Sequence, residues 1–182
     1  TYIVWMAGMI VAFGNNGLTT TAIRFVSESL GRKSDASARS VHGWLLRRQL
    51  GCLALVAVVF VVATPFFTPA GWEGHAVEFA AVALVAGSAK ALFLFDVSIA
   101  KGYGRFGVEA KSTVLMSILN IIAVFVLLWM RAPLMAYLAL FTAVSVGYVA
   151  SSRSMLRGGG QRPVRDVLPP ELLPRMRRHL WW

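Results

Sequence analysis

Hydrophobic positions along this chain gather into five long stretches separated by polar and basic punctuation. Four of them, residues 49–67, 76–95, 112–130 and 132–150, run for 19 or 20 residues with almost no charge. A helix needs about 20 apolar residues to cross the roughly 30 Å of bilayer hydrocarbon, so each stretch predicts a transmembrane helix. The fifth, residues 2–30, is mixed. It is apolar as far as Phe13 and then carries Gly14, Asn15, Asn16, Gly17, Thr19, Thr20, Thr21 and Arg24. It predicts one long helix whose inner half faces a polar environment. Barrel strands are excluded, because they run for about 10 residues with strict alternation. The expected fold class is therefore all-α, a polytopic bundle with five full spans.

Loop charge gives the orientation. Lys and Arg number five in 31–48, none in 68–75, three in 98–111, one in the turn 131–133 and seven in 151–179. The positive-inside rule places the rich loops 31–48, 98–111 and 151–179 in the cytoplasm. Trp72 falls in an outer loop, Trp129 at an outer span end and Trp44 near an inner one, where interfacial aromatics are expected. Thr64-Pro65 and Thr68-Pro69 close the second span, with Gly71 and Gly74 in the outer turn after it. Ala132-Pro133 predicts a tight hairpin that makes the last two spans antiparallel neighbours. Residues 1–152 read as a membrane bundle and 153–178, with Gly158-Gly159-Gly160 and four prolines, as a basic cytoplasmic linker. Residues 179–182 read as the start of a further span, and the chain as an internal piece of a longer polypeptide.

Composition agrees with the pattern. The chain of 182 residues is 57% hydrophobic and 14% charged, with a net charge of +10. Soluble domains are about one quarter charged, and nucleic-acid binders are far less apolar, so no nucleic-acid partner is expected. The expected partner is the lipid bilayer. A single cysteine, Cys52, excludes a disulfide framework. His42, His75 and His179 fall in three different loops, which excludes a shared metal site. The sequence has no phosphate-binding loop, dinucleotide fingerprint or nucleophile elbow, so neither a cofactor nor an enzyme activity is expected.

Polar residues within spans carry the remaining chemistry. Lys90 lies about 5 Å from the middle of its span at 1.5 Å per residue. An intramembrane lysine costs about 2.5–3.5 kcal/mol on insertion scales and marks a cavity by default. Asn16, Thr20, Arg24 and Ser27 are spaced for one helix face. There Arg24 either faces a cavity or snorkels to headgroups beside Glu28. Thr113, Ser117 and Asn120 share a face, as do Thr142, Ser145 and Ser152; such spacing serves helix packing as readily as ligand contact. Asp96 stands near the inner surface as an interfacial carboxylate or a proton or ion relay.

The stretch Gly17-Leu18-Thr19-Thr20-Thr21-Ala22-Ile23-Arg24-Phe25-Val26-Ser27-Glu28-Ser29-Leu30-Gly31-Arg32, followed by Ala38-Arg39, resembles the second helix and loop of polysaccharide-transporter flippases. Gly102-Tyr103-Gly104-Arg105-Phe106 resembles the loop between their fourth and fifth helices. The resemblance spans nearly the whole chain, as helices two through six, with 179–182 leading into the seventh. It implies the multidrug/oligosaccharidyl-lipid/polysaccharide superfamily, a two-lobe transporter of which this chain is part, and a bacterial inner-membrane location. The implied partner is an undecaprenyl-pyrophosphate-linked oligosaccharide, moved for lipopolysaccharide O-antigen or exopolysaccharide assembly. The missing remainder of the same polypeptide would be the other partner. A cationic cavity would offset desolvation of the phosphates. The cavity candidates are Arg24, Lys90, Asn16, Thr20 and Asn120. The alternatives are a cation-coupled multidrug exporter, which would use intramembrane carboxylates such as Asp96, a membrane scaffold that transports nothing, or the membrane part of a polysaccharide polymerase or ligase.

Overall fold

The structure is a computed structural model that describes residues 2–66, 74–161, 163–164 and 172–180. The described residues are helical apart from short connections, in the order α1 (Tyr2–Asn15), α2 (Leu18–Gly31), α3 (Asp35–Ala63), α4 (Ala76–Gly102), α5 (Gly107–Trp129), α6 (Leu134–Gly158) and α7 (Leu172–Leu180). A 3-10 turn, Thr64–Phe66, follows α3 at the Thr64-Pro65 punctuation. Four helices, α3 to α6, are long and apolar enough to cross a bilayer, and the fold is an α-helical membrane bundle.

The stretch 2–30 is not the single span expected from its length. It breaks at Asn16 (φ 25°) and Gly17 (φ 73°), both in the left-handed region that ends a right-handed helix. The hydroxyls of Thr20 and Thr21 each donate to the Gly17 carbonyl at 2.9 Å, which ties the first turn of α2 to the break. At 14 residues each, α1 and α2 are about 21 Å long and neither crosses alone. Five full spans therefore become four, with a broken pair beside them.

The expected loop 31–48 is also mostly helix. Ser34 accepts a hydrogen bond at its Oγ from the Ser37 amide, and α3 starts there. Ala38, Val41 and Leu45 are buried while Arg39, Arg47 and Arg48 stay exposed. That spacing is an amphipathic helix whose charges depress its hydropathy without breaking it. His42, expected in this loop, is a buried α3 residue beside Phe95 and Tyr103, with ring centroids 6.4 Å from each. Likewise α4 and α5 consume most of the loop 98–111, and α6 runs on to Gly158, inside the expected linker. Residues 172–180 add a helix to that linker. The outer turn with Trp72, and Trp181-Trp182 at the expected further span, lie outside the described residues.

The hub of the bundle is α4: 61% of its most apolar stretch is buried, against 11% in each of α3, α5 and α6. Small residues make this possible. A Cβ at Gly87 would stand 2.9 Å from the Ala7 carbonyl and 3.0 Å from Ile10 Cβ, so α1 packs directly on the α4 backbone. Small residues at helix contacts let backbones approach closely in membranes. Packed on α4 are α1 and α2 on one side and α6 on the other; α5 packs on α6. The hairpin through Ala132-Pro133 makes α5 and α6 antiparallel neighbours. The main apolar core lies at the arginine-rich end, where Phe25, Leu45, Phe95, Ile99, Leu156 and Met176 meet.

Candidate ligand cavity

Four helices surround a cavity of about 460 Å³. On α4, Ala86, Lys90 and Phe93 share a face by helical spacing. Thr113 and Asn120 reach it from α5, and Phe141, Ser145 and Tyr148 from α6. Val4, Ala7, Gly8 and Val11 of α1 form the remaining wall and leave room because they are small. The cavity is apolar except for one ammonium, two hydroxyls, one amide and one phenol. Lys90 is exposed within it, and among the described residues no carboxylate pairs with its amine. A cation with hydroxyl and amide donors in an apolar wall suits an anion or a polyhydroxyl group, because charge-assisted hydrogen bonds strengthen as water is excluded.

Toward the arginine-rich end the cavity is closed in steps. Phe93 and Tyr148 pack with their rings tilted by 54° and their centroids 4.9 Å apart. Beyond them Asp96, 2% exposed, accepts from Arg153 Nε at 3.2 Å. Ser152 Oγ lies 3.2 Å from the same Asp96 oxygen and 3.1 Å from the Val149 carbonyl, so its one proton serves either. Ser151 donates to Ser112 Oγ at 3.2 Å, which joins α6 to α5 at that level. Asp96 is thus committed to a buried ion pair and does not line the cavity.

Of the candidates read from sequence, the fold brings Lys90 and Asn120 together. Arg24, Asn16 and Thr20 do not line this cavity. Asn16 is part of the helix break, and Thr20 is exposed on α2. Arg24 is exposed with its guanidinium 5.8 Å from the Phe25 ring centroid. Thr113, Ser145 and Tyr148 line the cavity with Lys90. The periodicity of Thr113 with Asn120 carried that signal, whereas nothing in the sequence singles out Tyr148 from any interfacial tyrosine.

Two further cavities flank the bundle. One of about 430 Å³ between α1 and α3 is walled by Met6, Met9, Ile10, Phe13, Val56 and Phe60 among other apolar residues. The other, about 320 Å³, lies at the arginine-rich end between Asp35, Arg39, Tyr103 and Gln161. Arg105 shapes its rim, donating from one nitrogen to the Met155 carbonyl at 3.0 Å and to Gln161 Oε1 at 2.7 Å. The Tyr103 hydroxyl is buried without a partner among the described residues. Burial pushes it up to about 12, against the pull of Arg39. Among the described residues no group of three His, Cys, Asp or Glu side chains is placed to hold a metal ion.

At the same end Glu28, in the last turns of α2 and outside the four crossing helices, takes two arginines. Its Oε1 accepts from Arg32 at 2.8 Å and from Arg175 at 2.7 Å. The hydrogen bond from Arg175 holds its carboxyl below the ordinary glutamate range. Partial desolvation opposes this, and the charges of Arg175, Arg32 and Arg24 reinforce it.

Comparison with protein-family models, with curated proteins and with solved structures finds no match for this chain.

Proposed function

We propose that this chain forms part of a bacterial inner-membrane flippase that moves a lipid-linked oligosaccharide for O-antigen or exopolysaccharide assembly. The observation that supports the reading is Lys90, placed with Asn120, Thr113 and Ser145 in one cavity between membrane helices. A pyrophosphate-linked glycan needs a cation for its phosphates and hydrogen-bonding groups for its sugars while it passes through an apolar slab. The cavity offers both. Its cation is Lys90 alone; Arg24, outside this cavity, is not assigned to it. Alternating access would then expose Lys90 to one side at a time, with a second lobe completing the cavity. The cation-coupled exporter has less support, because Asp96 is held by Arg153 and does not line the cavity.

The test is Lys90→Ala in the complete protein at matched expression, read as surface polysaccharide. The reading expects loss of the polymer with Lys90→Ala and retention with Lys90→Arg. Normal polymer with Lys90→Ala overturns it.

A further inference from the structure

Between α1 and α3 the fold leaves a groove rather than a closed seam. The two helices touch where α1 ends. A Cβ at Gly14 would stand 2.6 Å from Leu53 Cδ2, and Gln49 bonds Asn15 at the same level. From that contact, away from the arginine-rich end, residues 6–13 of α1 and 55–64 of α3 wall an apolar volume of about 430 Å³. Met6, Met9, Ile10 and Phe13 present one stripe of α1 to it by helical spacing. The floor is packed: Ile10 is buried against Leu53 and Ala91, with Val56 and Phe60 half-buried beside them.

The lining and the size of this groove select its occupant. Its one polar side chain, Thr64, donates its hydroxyl to the Phe60 carbonyl at 2.8 Å. A buried water needs about two to four polar partners, so water does not fill the groove. Left empty, its lining atoms would lack packing partners. Residues 55–64 rise about 13 Å along α3. Spread over that length, 430 Å³ gives a cross-section of about 30 Å², whereas a helix about 10 Å across needs roughly 80 Å². One hydrocarbon chain fits: the volume is about three times the roughly 150 Å³ that takes a benzene. The mouth is continuous with the surface that meets the bilayer. Leu55 and Val59 belong to the exposed apolar run 50–66 of α3, and Met9 and Phe13 are exposed on α1.

We propose that the groove between α1 and α3 holds one acyl chain of a bilayer phospholipid as a resident part of the fold. The lipid belongs to the leaflet opposite the arginine-rich end, because the groove runs from the Gly14–Leu53 contact toward Thr64. The chain fastens the length of α1 that precedes Asn15, where the hydrogen bond to α3 lies. Dispersion contacts of this kind replace the hydrophobic effect as the force that holds helices together in a membrane. The proposal rests on the membrane bundle alone and stands whether or not the chain transports anything.

The experiment reconstitutes the full chain in nanodiscs of phosphatidylcholine that carries a photoreactive diazirine in mid-chain. The bulk lipid is then exchanged for detergent, the sample irradiated, and the adducts mapped by peptide mass spectrometry. Detergent removes lipid that merely surrounds the bundle. Adducts on residues 6–13 and 55–64 should therefore exceed those on the exposed apolar face of α5, at Leu115, Ile118 and Phe125, by at least about tenfold, a small preference on an affinity scale. Val59→Phe, which places a ring in the groove, should reduce the α1 adducts to the α5 level. Ile118→Phe should leave them unchanged. Adducts that spread equally over the helices, or vanish on exchange, overturn the proposal. Excess unlabelled phosphatidylcholine should displace the label. Displacement by a polyprenyl phosphate alone overturns the proposal and assigns the groove to a prenyl chain. Retention on the unaltered protein needs no variant, so it decides the matter even where Val59→Phe fails to fold.

Discussion

Gln49 donates from Nε2 to Asn15 Oδ1 at 3.1 Å, and the bond joins α3 to α1 at the residue where α1 ends. Gln49 is fully buried, and its Oε1 has no partner among the described residues. Removing one partner of a buried hydrogen bond costs more than removing both, because the survivor keeps its full desolvation penalty. Asn15→Leu should therefore destabilise the protein by about 1–3 kcal/mol. Gln49→Leu should cost less, and the double variant less than Asn15→Leu alone. Thermal unfolding in detergent checks the order. A double variant weaker than Asn15→Leu would mean that the bond does not organise the break.

The break itself depends on Gly17. Nothing crowds a Cβ built there, so the cost of a side chain comes from its φ of 73° alone. Gly17→Ala should lower stability by about 1–2 kcal/mol. Gly17→Asn should cost less, since asparagine enters the left-handed region more readily. Gly87→Leu should be worse than either, because its Cβ would meet the backbone of α1 and separate α1 from α4. The same unfolding measurement ranks the three.

These positions also mark how far the sequence could be read. The apolar runs of α3 to α6 were legible because membrane burial needs length and composition, and both are local. The break after Asn15 was harder to read: Asn16-Gly17 is a turn signal, but the apolar and small residues around it also fit one long helix. The helix from Asp35 to Arg48 was hidden by its charges, although Ala38, Val41 and Leu45 keep helical spacing. For the cavity, Lys90 and Asn120 could be named because polar residues in a span are conspicuous. Their meeting depends on how α4 and α5 are arranged around α1 and α6, and no local pattern encodes that. The position of Arg24 beside Arg175 joins residues 151 apart in sequence, beyond the reach of any periodicity.

A water-filled cavity around Lys90 has a chemical signature. Cys52 is the single cysteine of this chain, so Cys52→Ala in the 182-residue chain removes its native thiol. In that variant, Lys90→Cys and Asn120→Cys should react with a charged, membrane-impermeant thiol reagent at least about tenfold faster than Ile121→Cys, since thiolate forms only where water reaches. Ile121 is 55% exposed on the apolar surface of α5 and is the control for lipid contact. Equal rates at Lys90→Cys and Ile121→Cys would show that Lys90 faces lipid.

The ion pair below the cavity should respond unequally to loss of its two partners. Arg153 is 37% exposed at its side chain and Asp96 only 3%. Arg153→Leu leaves a buried carboxylate without its cation and should cost up to about 3 kcal/mol, the low end for breaking a buried pair. Asp96→Asn keeps a group for Ser152 to bond and frees an arginine that already reaches solvent, so it should cost less. The unfolding midpoints of the two variants test this, and a more damaging Asp96→Asn would contradict it.

Acid should loosen the attachment of α7 slightly. The Glu28 carboxyl is held below its ordinary range, first by the hydrogen bond from Arg175. A carboxylate with a depressed folded-state pKa contributes stability above its unfolded value and loses it as pH falls through the folded value. The attachment of α7 should therefore be unaffected near neutrality and weaken below the usual glutamate range. Because both arginines that hold Glu28 are exposed, solvent screening keeps the effect small. Hydrogen–deuterium exchange of the α7 amides, corrected for intrinsic rates, should rise over that acid window in the unaltered protein. In Glu28→Gln the exchange should be raised already at neutral pH and change little on acidification. A pH response that survives Glu28→Gln would place the acid-sensitive contact elsewhere.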